Sequence, residues 1–560
     1  MNKHTIELLE KHFDTAFVAL EGIKKLRELI LTLAMQGKLV PQDPNEQPAS
    51  ELLQEIEAEK QRLVKEGKIK KPKPLPPIRE EEKPYSLPQG WEWARLQSFS
   101  DYNGRPNIDP SEIAEDTWLL DLEDIEKETS RLICRARYFQ RESKSTKSTF
   151  KEGDVLYGKL RPYLDKVLVA DSAGVCTTEI VPIVPSKAVI PDFLRWLLKR
   201  PDFLSHVNTL MYGVKMPRLG TEDAIHSVHP IPPVNEQHRI IAKINELMAR
   251  CDELEKLCAA QQKARLTVHT AAIKQLLNIA EPDQHQRAQA FLAEHFGELY
   301  IVKENVAELR KAILQLAVMG KLVLQGPNDQ PASELLKEIE AEKQRLVKEG
   351  KIKKPKPLPP VKPEEVPYAL PQGWEWVRLG DIGYTNIGLT YSPADVSEAG
   401  IPVLRSNNIK NGKLDLSDLK RVQMQVREST LVHDNDLLIC ARNGSKALVG
   451  KTALITDLTE PTAFGAFMAI FRSRFNQYLL HFINSPLFRN MIDEVNTMTI
   501  NQITQDNLRS TIFPLPPLAA QRRIVAQIEQ LMKSCDSLDQ KIDATTTKQA
   551  ELLSAVIAQA

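Results

Sequence analysis

The sequence predicts an α+β protein built twice. Two mixed α/β globular domains are separated by two long helices with coiled-coil spacing, in a pseudo-twofold repeat with a helical extension at the N-terminus. Three observations predict this. Long blocks of the chain recur at a nearly constant offset. A heptad-like stripe follows the last block of each half. The stretches enclosed by the blocks mix short β-like runs with amphipathic helical ones.

The repeat organises everything else. LRELILTLAMQGKLV at Leu26–Val40 returns as LRKAILQLAVMGKLV at Leu309–Val323. ASELLQEIEAEKQRLVKEGKIKKPKPLPPI at Ala49–Ile78 returns with two changes at Ala332–Val361. LPQGWEWARL at Leu87–Leu96 returns as LPQGWEWVRL at Leu370–Leu379. These blocks keep an offset of 283 positions; a fourth, HPIPPVNEQHRIIAKINELMARCDEL from His229 and FPLPPLAAQRRIVAQIEQLMKSCDSL from Phe513, keeps 284. Between them, Gln97–Val228 and Gly380–Ile512 match in length to within a residue but share no evident sequence. A frame kept twice around dissimilar inserts predicts one task performed twice by the frame and two different tasks performed by the inserts.

The frames read as helical. Ile240, Ile244, Leu247, Cys251, Leu254 and Cys258, and likewise Ile524, Ile528, Leu531, Cys535, Leu538 and Ile542, step by four and three. That is the a/d spacing of a left-handed seam. Each stripe fits either a coiled coil between the halves or an amphipathic helix packed on its own domain. Ser50–Glu66 is a further helix, with Ser50 as N-cap, Glu51 at the positive end and Gly67 at the C′ position. The following KIKKPKPLPPI, with its alternating prolines, reads as an extended spacer.

The inserts carry β-like runs bounded by Gly, Asp and Pro: DVLYGKLRPY, KVLVAD and EIVPIVP in the first, DLLICARNG, GKTALIT and FMAIF in the second. Each ends in a helical stretch. Arg131–Lys166 carries ten basic and four acidic residues beside the acidic Asp109–Glu128. With Tyr138, Phe139, Tyr157 and Tyr163 interleaved, it fits a nucleic-acid groove, in which phosphates take cations and bases stack on rings. It also fits a basic strip neutralised by its acidic neighbour.

Other classes are disfavoured. The net charge is zero, so the chain is no simple nucleic-acid coat, although local charge clustering still permits DNA binding. No run of about 18 apolar residues suggests a membrane span. The charged N-terminus does not read as a signal peptide, and scattered cysteines without a CxxC suit reduced thiols in the cytoplasm. GSKALVGKT at Gly444–Thr452 resembles a phosphate-binding loop, but five residues rather than four separate its glycines. No Asn/Asp-Pro-Pro-aromatic run appears. His226 and His229 lack companions for a metal site. The expectation is no catalytic residue, no metal and no cofactor in this chain.

The paired signature, LPQGWEW(A/V)RL opening each half and a PLPP-type turn leading into QxRI(I/V)AxIxxLM closing it, resembles the specificity subunits of type I restriction–modification enzymes over nearly the whole chain. The resemblance implies two target-recognition domains held apart by two antiparallel helices. It also implies a bipartite double-stranded DNA target with an unread spacer, and docking of two methyltransferase subunits through which restriction subunits join. S-adenosylmethionine, ATP and Mg²⁺ would be used by those partners. The implied division is 1–85 helical region and linker, 86–233 first recognition domain, 234–300 central helix, 301–368 repeated helical region and linker, 369–517 second recognition domain, and 518–560 C-terminal helix. Two departures stand out: LQSFSD replaces the usual LGDI in the first half, and PVNEQ and PLAAQ replace PLAEQ. A coiled-coil adaptor without DNA specificity is the alternative; DNA binding by the chain separates the two.

Residue chemistry supplies the DNA-contact candidates. They are Lys159, Arg161, Tyr163 and Lys166 in the basic strip and Lys215 and Arg218 in a later turn. In the second insert they are Arg405, Asn407, Arg442, Asn443, Ser445, Lys446, Thr499, Asn501 and Gln502. Arg and Lys suit guanine, and Asn and Gln suit adenine.

Overall fold

The computed structural model describes residues 22–67, 74–141, 144–211, 216–278, 281–349, 357–495 and 501–558. It divides into two compact units, Met1–Gln261 with Thr545–Ala560, and Gln262–Ala544. The frame supplies α1 (Gly22–Met35), α2 (Ala49–Lys65), α3 (Val234–Leu277), α4 (Lys303–Val318), α5 (Ala332–Lys348) and α6 (Leu518–Ala558). The first unit takes the start of α3 and the end of α6, and the second takes the end of α3 and the start of α6.

Each unit contains the same short helix, α1 or α4, with the same stop signal. After α1, the Gly37 N–H donates to the Ala34 carbonyl (3.2 Å) and the Lys38 N–H reaches back to Leu33 (2.9 Å). Gly37 sits at φ +68°, where a side chain would be strained, and its α-carbon lies against Pro88 of the LPQG turn. Gly320 ends α4 identically, against Pro371. The second helix starts two residues earlier than the Ser50 cap predicts. Pro48 occupies the cap position without a side-chain bond, and the first N–H, that of Ala49, donates to the Gly90 carbonyl (2.9 Å). The helix terminus is therefore satisfied by the GWEW turn rather than by a serine hydroxyl. Ala332 repeats the contact with Gly373 (2.8 Å). Gly67 does adopt the left-handed C′ conformation (φ +69°).

Each insert hangs from a two-stranded clamp. In the first unit, β1 (Glu92–Arg95) pairs antiparallel with the strand Val228–Ile231, in register from Glu92↔Ile231 to Arg95↔Val228. Between them run β2 (Ser100–Tyr102), β3 (Asn107–Ile108), β4 (Trp118–Leu120), β5 (Ala136–Arg137), β6 (Lys147–Phe150), β7 (Val155–Gly158), β8 (Val167–Val169), β9 (Gly174–Thr177) and β10 (Ile180–Pro185). The clamp strand Val228–Ile231 is thus β11. One sheet has the order β2-β10-β7-β8, the other β3-β6-β9-β4-β5.

The second unit opens with β12 (Glu375–Arg378) and β13 (Tyr384–Ile387), then β14 (Val396–Ser397), β15 (Ile401–Leu404), β16 (Ile409–Lys410), β17 (Lys413–Leu414) and β18 (Lys420–Val422). It continues with β19 (Leu437–Cys440), β20 (Thr452–Leu454), β21 (Ala463–Phe464), β22 (Met468–Arg472) and β23 (Ile512–Leu515). Strand β12 pairs with β23 as β1 does with β11, and the first sheet has the equivalent order β13-β22-β19-β20. The inserts that share no evident sequence therefore share the topology of their first sheet, while their second sheets differ in strand number and order. Both second sheets also contain one parallel pair, β4 with β9 and β15 with β21.

The heptad stripes are not reserved for a seam between the long helices. Ile240, Ile244 and Cys251 are buried, with Leu247 packed alongside, in a core that holds Ile30, Ala34 and Met35 of α1 and Phe193 and Leu197 of the insert. Leu254 and Cys258 are half-buried beyond it. In the second unit Ile524, Ile528 and Cys535, with Leu531, Leu538 and Ile542, join Ile313 and Ala317 of α4 and Ile273 and Leu276 at the end of α3. The stripe spacing is shared by any long helix laid on a shorter one. Arg27 of α1 fastens the contact to Asp252 (2.6 Å) and Glu255 (2.7 Å), and Arg310 does so to Asp536 (2.8 Å) and Asp539 (2.9 Å). Three of those acids are exposed and Asp539 is half-buried, so each pair contributes about 1 kcal/mol or less. Burial dominates: Ile528→Ala is expected to cost about 2–5 kcal/mol and Arg310→Ala under about 1 kcal/mol. Urea unfolding of the two variants checks the order.

The described end of the proline spacer, 74–78, is docked. The spacer's lysines Lys68, Lys70, Lys71 and Lys73 lie outside the described residues, but the carbonyls of Pro76 and Pro77 accept from Arg95 at 2.7 and 3.0 Å.

Candidate nucleic-acid interface

In the second unit the strand ends of one face converge. The chain leaves β15 through Arg405 into a 3₁₀ turn, Ser406–Asn408, and leaves β19 through Arg442, Asn443 and Gly444. Arg442 forms an isolated β-bridge with Gln502, and the Asn443 N–H donates to the Asn501 carbonyl (3.3 Å). The Asn501 amide in turn donates to the Gly444 carbonyl (3.1 Å). Arg405, Asn407, Arg442, Asn443 and Asn501 thereby line one cavity of about 990 Å³.

Three further lining residues escape sequence reasoning: Tyr391, Lys420 and Phe467. Phe467 sits in GAFMAIF, which reads as a buried strand, but β22 begins one residue later. Its ring is 62% exposed, an unusual place for a phenyl group and one suited to stacking. The Arg442 guanidinium lies 5.6 Å from the ring centroid. Ser445 and Lys446 flank the cavity without lining it, and Lys446 pairs with Asp493 (3.1 Å). Thr499 lies outside the described residues. The Gly444–Thr452 stretch forms no phosphate cradle: Lys446–Leu448 is a 3₁₀ turn, and the Thr452 hydroxyl donates to the Leu438 carbonyl (2.8 Å) inside the sheet.

The first unit uses the same strand end differently. Leu160, after β7, bridges to Arg218 as Arg442 bridges to Gln502. Lys159 and Arg161 flank it. Arg161 is exposed and Tyr163 is 47% exposed, carried on the turn Pro162–Leu164. Arg161 and Asp165, at either end of that turn, both have left-handed backbones (φ 51° and 50°). Such strain persists only where neighbours hold it. Here the Lys199 ammonium does so, donating to the Asp165 carboxylate (2.6 Å), the Glu128 carbonyl (2.8 Å) and the Ser130 hydroxyl (2.8 Å). Burial pushes the Asp165 carboxyl up to about 6, with Lys199 opposing the shift.

Much of the basic strip is spent internally. Arg141 reaches the buried carboxylate of Asp124 at 2.7 Å, and Arg137 donates to the Asp116 carbonyl (2.6 Å). Arg135 pairs with Asp171 and lies over Trp118. Lys166 donates to the Leu122 carbonyl (2.7 Å), and Arg218 grips Glu179 (2.7 Å). Tyr138 and Tyr157 are buried, which leaves Phe139 and Tyr163 as the exposed rings. Of these, only Arg141 is paired with carboxylates of the acidic neighbour; the other side chains are held by backbone carbonyls or by acids elsewhere in the domain. Lys215 lies outside the described residues.

His229 is a core residue. Its Nδ1 accepts from Arg200 (3.0 Å) and its Nε2 meets the Ser227 hydroxyl (2.7 Å), beside Phe99 and Phe203. Burial and the adjacent guanidinium hold the imidazole neutral, far below its ordinary value. Among the described residues no group of three or more His, Cys, Asp or Glu side chains could hold a metal ion, and no helix is long and apolar enough to cross a membrane.

Comparison with known proteins bears on what these domains are. Residues 371–547 match the type I restriction modification DNA specificity domain. The chain is 38% identical to the EcoAI specificity subunit of Escherichia coli, an alignment covering 96% of this chain and 93% of that one. It belongs to the type I restriction enzyme specificity subunits. The EcoEI specificity subunit of Escherichia coli is similar at 36% identity, covering 96% of this chain and 94% of its own length. A chain solved in a study of complex assembly and conformational transition of the type I R-M system has the same fold, with a TM-score of 0.51 and 22% identity over 85% of this chain and 98% of that one. Within this specificity subunit, the α+β architecture of two domains and two long helices is the one expected from the sequence.

Proposed function

We propose that this specificity subunit reads a bipartite double-stranded DNA sequence, one half with the domain at 86–233 and the other with that at 369–517, and does no chemistry on it. The observation that carries this reading is the pairing of one first-sheet topology with two different sets of strand-end residues. A shared scaffold supplies the same approach to the duplex, and the differing side chains supply different base preferences. Arg161 and Tyr163 serve the first domain. Arg405, Asn407, Arg442, Asn443 and Asn501 serve the second, with Lys446 nearby for phosphate.

The repeated helices dock two methyltransferase subunits, and restriction subunits join through those. S-adenosylmethionine, ATP and Mg²⁺ act in the partners, and the complex works in the cytoplasm. The long helices α3 and α6 fix the unread spacer, since half-site spacing follows protein geometry. The adaptor alternative has no comparable support in the cavity's cations, amides and exposed rings.

The test is assembly with the methyltransferase partner followed by sequencing of methylated DNA. A single two-part motif of fixed spacing is the expected result, with no methyl transfer by the isolated chain. Turnover by the isolated chain, or methylation without a two-part motif, refutes the reading.

A further inference from the structure

We propose that Arg405 reads a guanine in the second half-site and that Asp418 holds its guanidinium in the reading position. This rests on the second domain being a DNA reader and adds which base it selects.

The first observation is positional. Strands β4 and β15 occupy the same place, each parallel to its partner through Leu119↔Val175 and Leu120↔Cys176, or Val403↔Ala463 and Leu404↔Phe464. Each then enters a 3₁₀ turn fastened by the same hydrogen bond, from the Asp121 N–H to the Asp124 carboxylate (2.9 Å) or from the Arg405 N–H to the Asn408 amide oxygen (2.9 Å). Asp121 and Arg405 are therefore equivalent positions. One backbone carries an acceptor in the first domain and a fivefold donor in the second. Asp121 is held within its own domain by Arg141 (3.5 Å), whereas Arg405 lines the cavity, so the position meets different partners in the two domains.

The second observation is chemical. The Arg405 Nη2 donates to the Asp418 carboxylate (3.2 Å) and carbonyl (3.4 Å), which fixes the plane of the guanidinium. Its Nε is buried at the cavity wall without a hydrogen-bond partner. With the Nε enclosed, it is the Nη edge of the guanidinium that can meet an incoming base. A planar, preorganised fork suits the O6 and N7 acceptors of guanine in the major groove. Phosphate contact falls instead to the exposed Lys420 and Arg442, which need no fixed plane.

The test compares wild type, Arg405→Gln and Asp418→Asn in the assembled methyltransferase complex, reading the methylated motif and its relaxation. The expected wild-type second half-site contains a G·C pair. Arg405→Gln lowers discrimination at that pair roughly tenfold to a hundredfold and leaves the first half-site unchanged. Asp418→Asn keeps the arginine and relaxes the same pair to a smaller degree. Because the Asp418 side chain is 68% exposed, this variant keeps the fold and decides the matter should Arg405→Gln fail to assemble.

A second half-site without a G·C pair overturns the proposal. So does unchanged selectivity in both variants, or a loss spread evenly over all sequences, which would make Arg405 a phosphate contact. A wild-type complex with no two-part motif overturns the underlying reading as well; a normal wild-type motif with unaltered variants overturns the Arg405 assignment alone.

Discussion

Replacing Arg378 by alanine is expected to destabilise the second unit by about 1–3 kcal/mol, the range for leaving buried hydrogen-bonding groups without their partner. The side chain is only 6% exposed, and its donors are consumed by groups far apart in sequence. Nε donates to the Pro359 carbonyl (2.7 Å), Nη1 to the Ser510 carbonyl (2.6 Å), and Nη2 to both Glu365 oxygens (2.9 and 2.8 Å). One guanidinium therefore holds the proline spacer, the clamp strand β12 and the segment entering β23. Alanine leaves two carbonyls and a carboxylate without that partner. Lysine restores the charge but not the planar fork, so Arg378→Lys is expected to recover little.

Glu365 adds a pH dependence. The Lys362 backbone N–H and then Arg378 hold its carboxyl below the ordinary carboxylate range. A lowered folded value means stabilisation that is present near neutrality and lost as pH falls through that value. The wild-type advantage over Arg378→Ala should shrink in acid. Arg95 makes the same set in the first unit with Pro76, Pro77, Glu82 and the His226 carbonyl. Urea titration followed by tryptophan emission reads both units, since Trp91 and Trp93 report on the first and Trp374 and Trp376 on the second. A shift below about 1 kcal/mol, the level of an exposed pair, would contradict the hub role.

The frame was legible because it is repeated and because helix signals are local. The four-three stripes, Gly67 at a helix end and the PLPP turn all depend on residues a few positions apart. What the stripes pack against was not legible, since Ile240 facing α1 leaves the same spacing as Ile240 facing another long helix. The clamp was likewise hidden. Glu92 and Ile231 pair across more than a hundred residues, and nothing local to GWEW announces its partner. The common first-sheet topology of the inserts was invisible for a different reason: strands demand alternation and turns, not particular residues, so Leu437–Cys440 and Val155–Gly158 fill one role with little sequence in common.

At the candidate interface, the polar residues near Arg442 and Asn501 were identifiable by type. Their convergence on one cavity depends on the bridge to Gln502 and on Phe467, whose exposure no pattern indicated. In the first domain, residue type overstated the basic strip. Arg141 and Asp124 are cation and anion in separate sequence runs, and only the fold brings them to 2.7 Å.

The clamps also make the second large prediction possible. Arg95↔Val228 and Arg378↔Ile512 are equivalent registers, each opening onto an insert whose first sheet has the same strand order. The residues between them, Leu96–Ser227 and Leu379–Thr511, should therefore be exchangeable without disturbing the frame. The most direct test replaces Leu96–Ser227 with a copy of Leu379–Thr511, assembles the chain with its methyltransferase partner and sequences the methylated DNA. If each insert reads its own half-site, the motif becomes the second half-site twice and the original first half-site disappears. Persistence of the original first half-site, or loss of the second half-site by an enzyme that still methylates, would contradict the account.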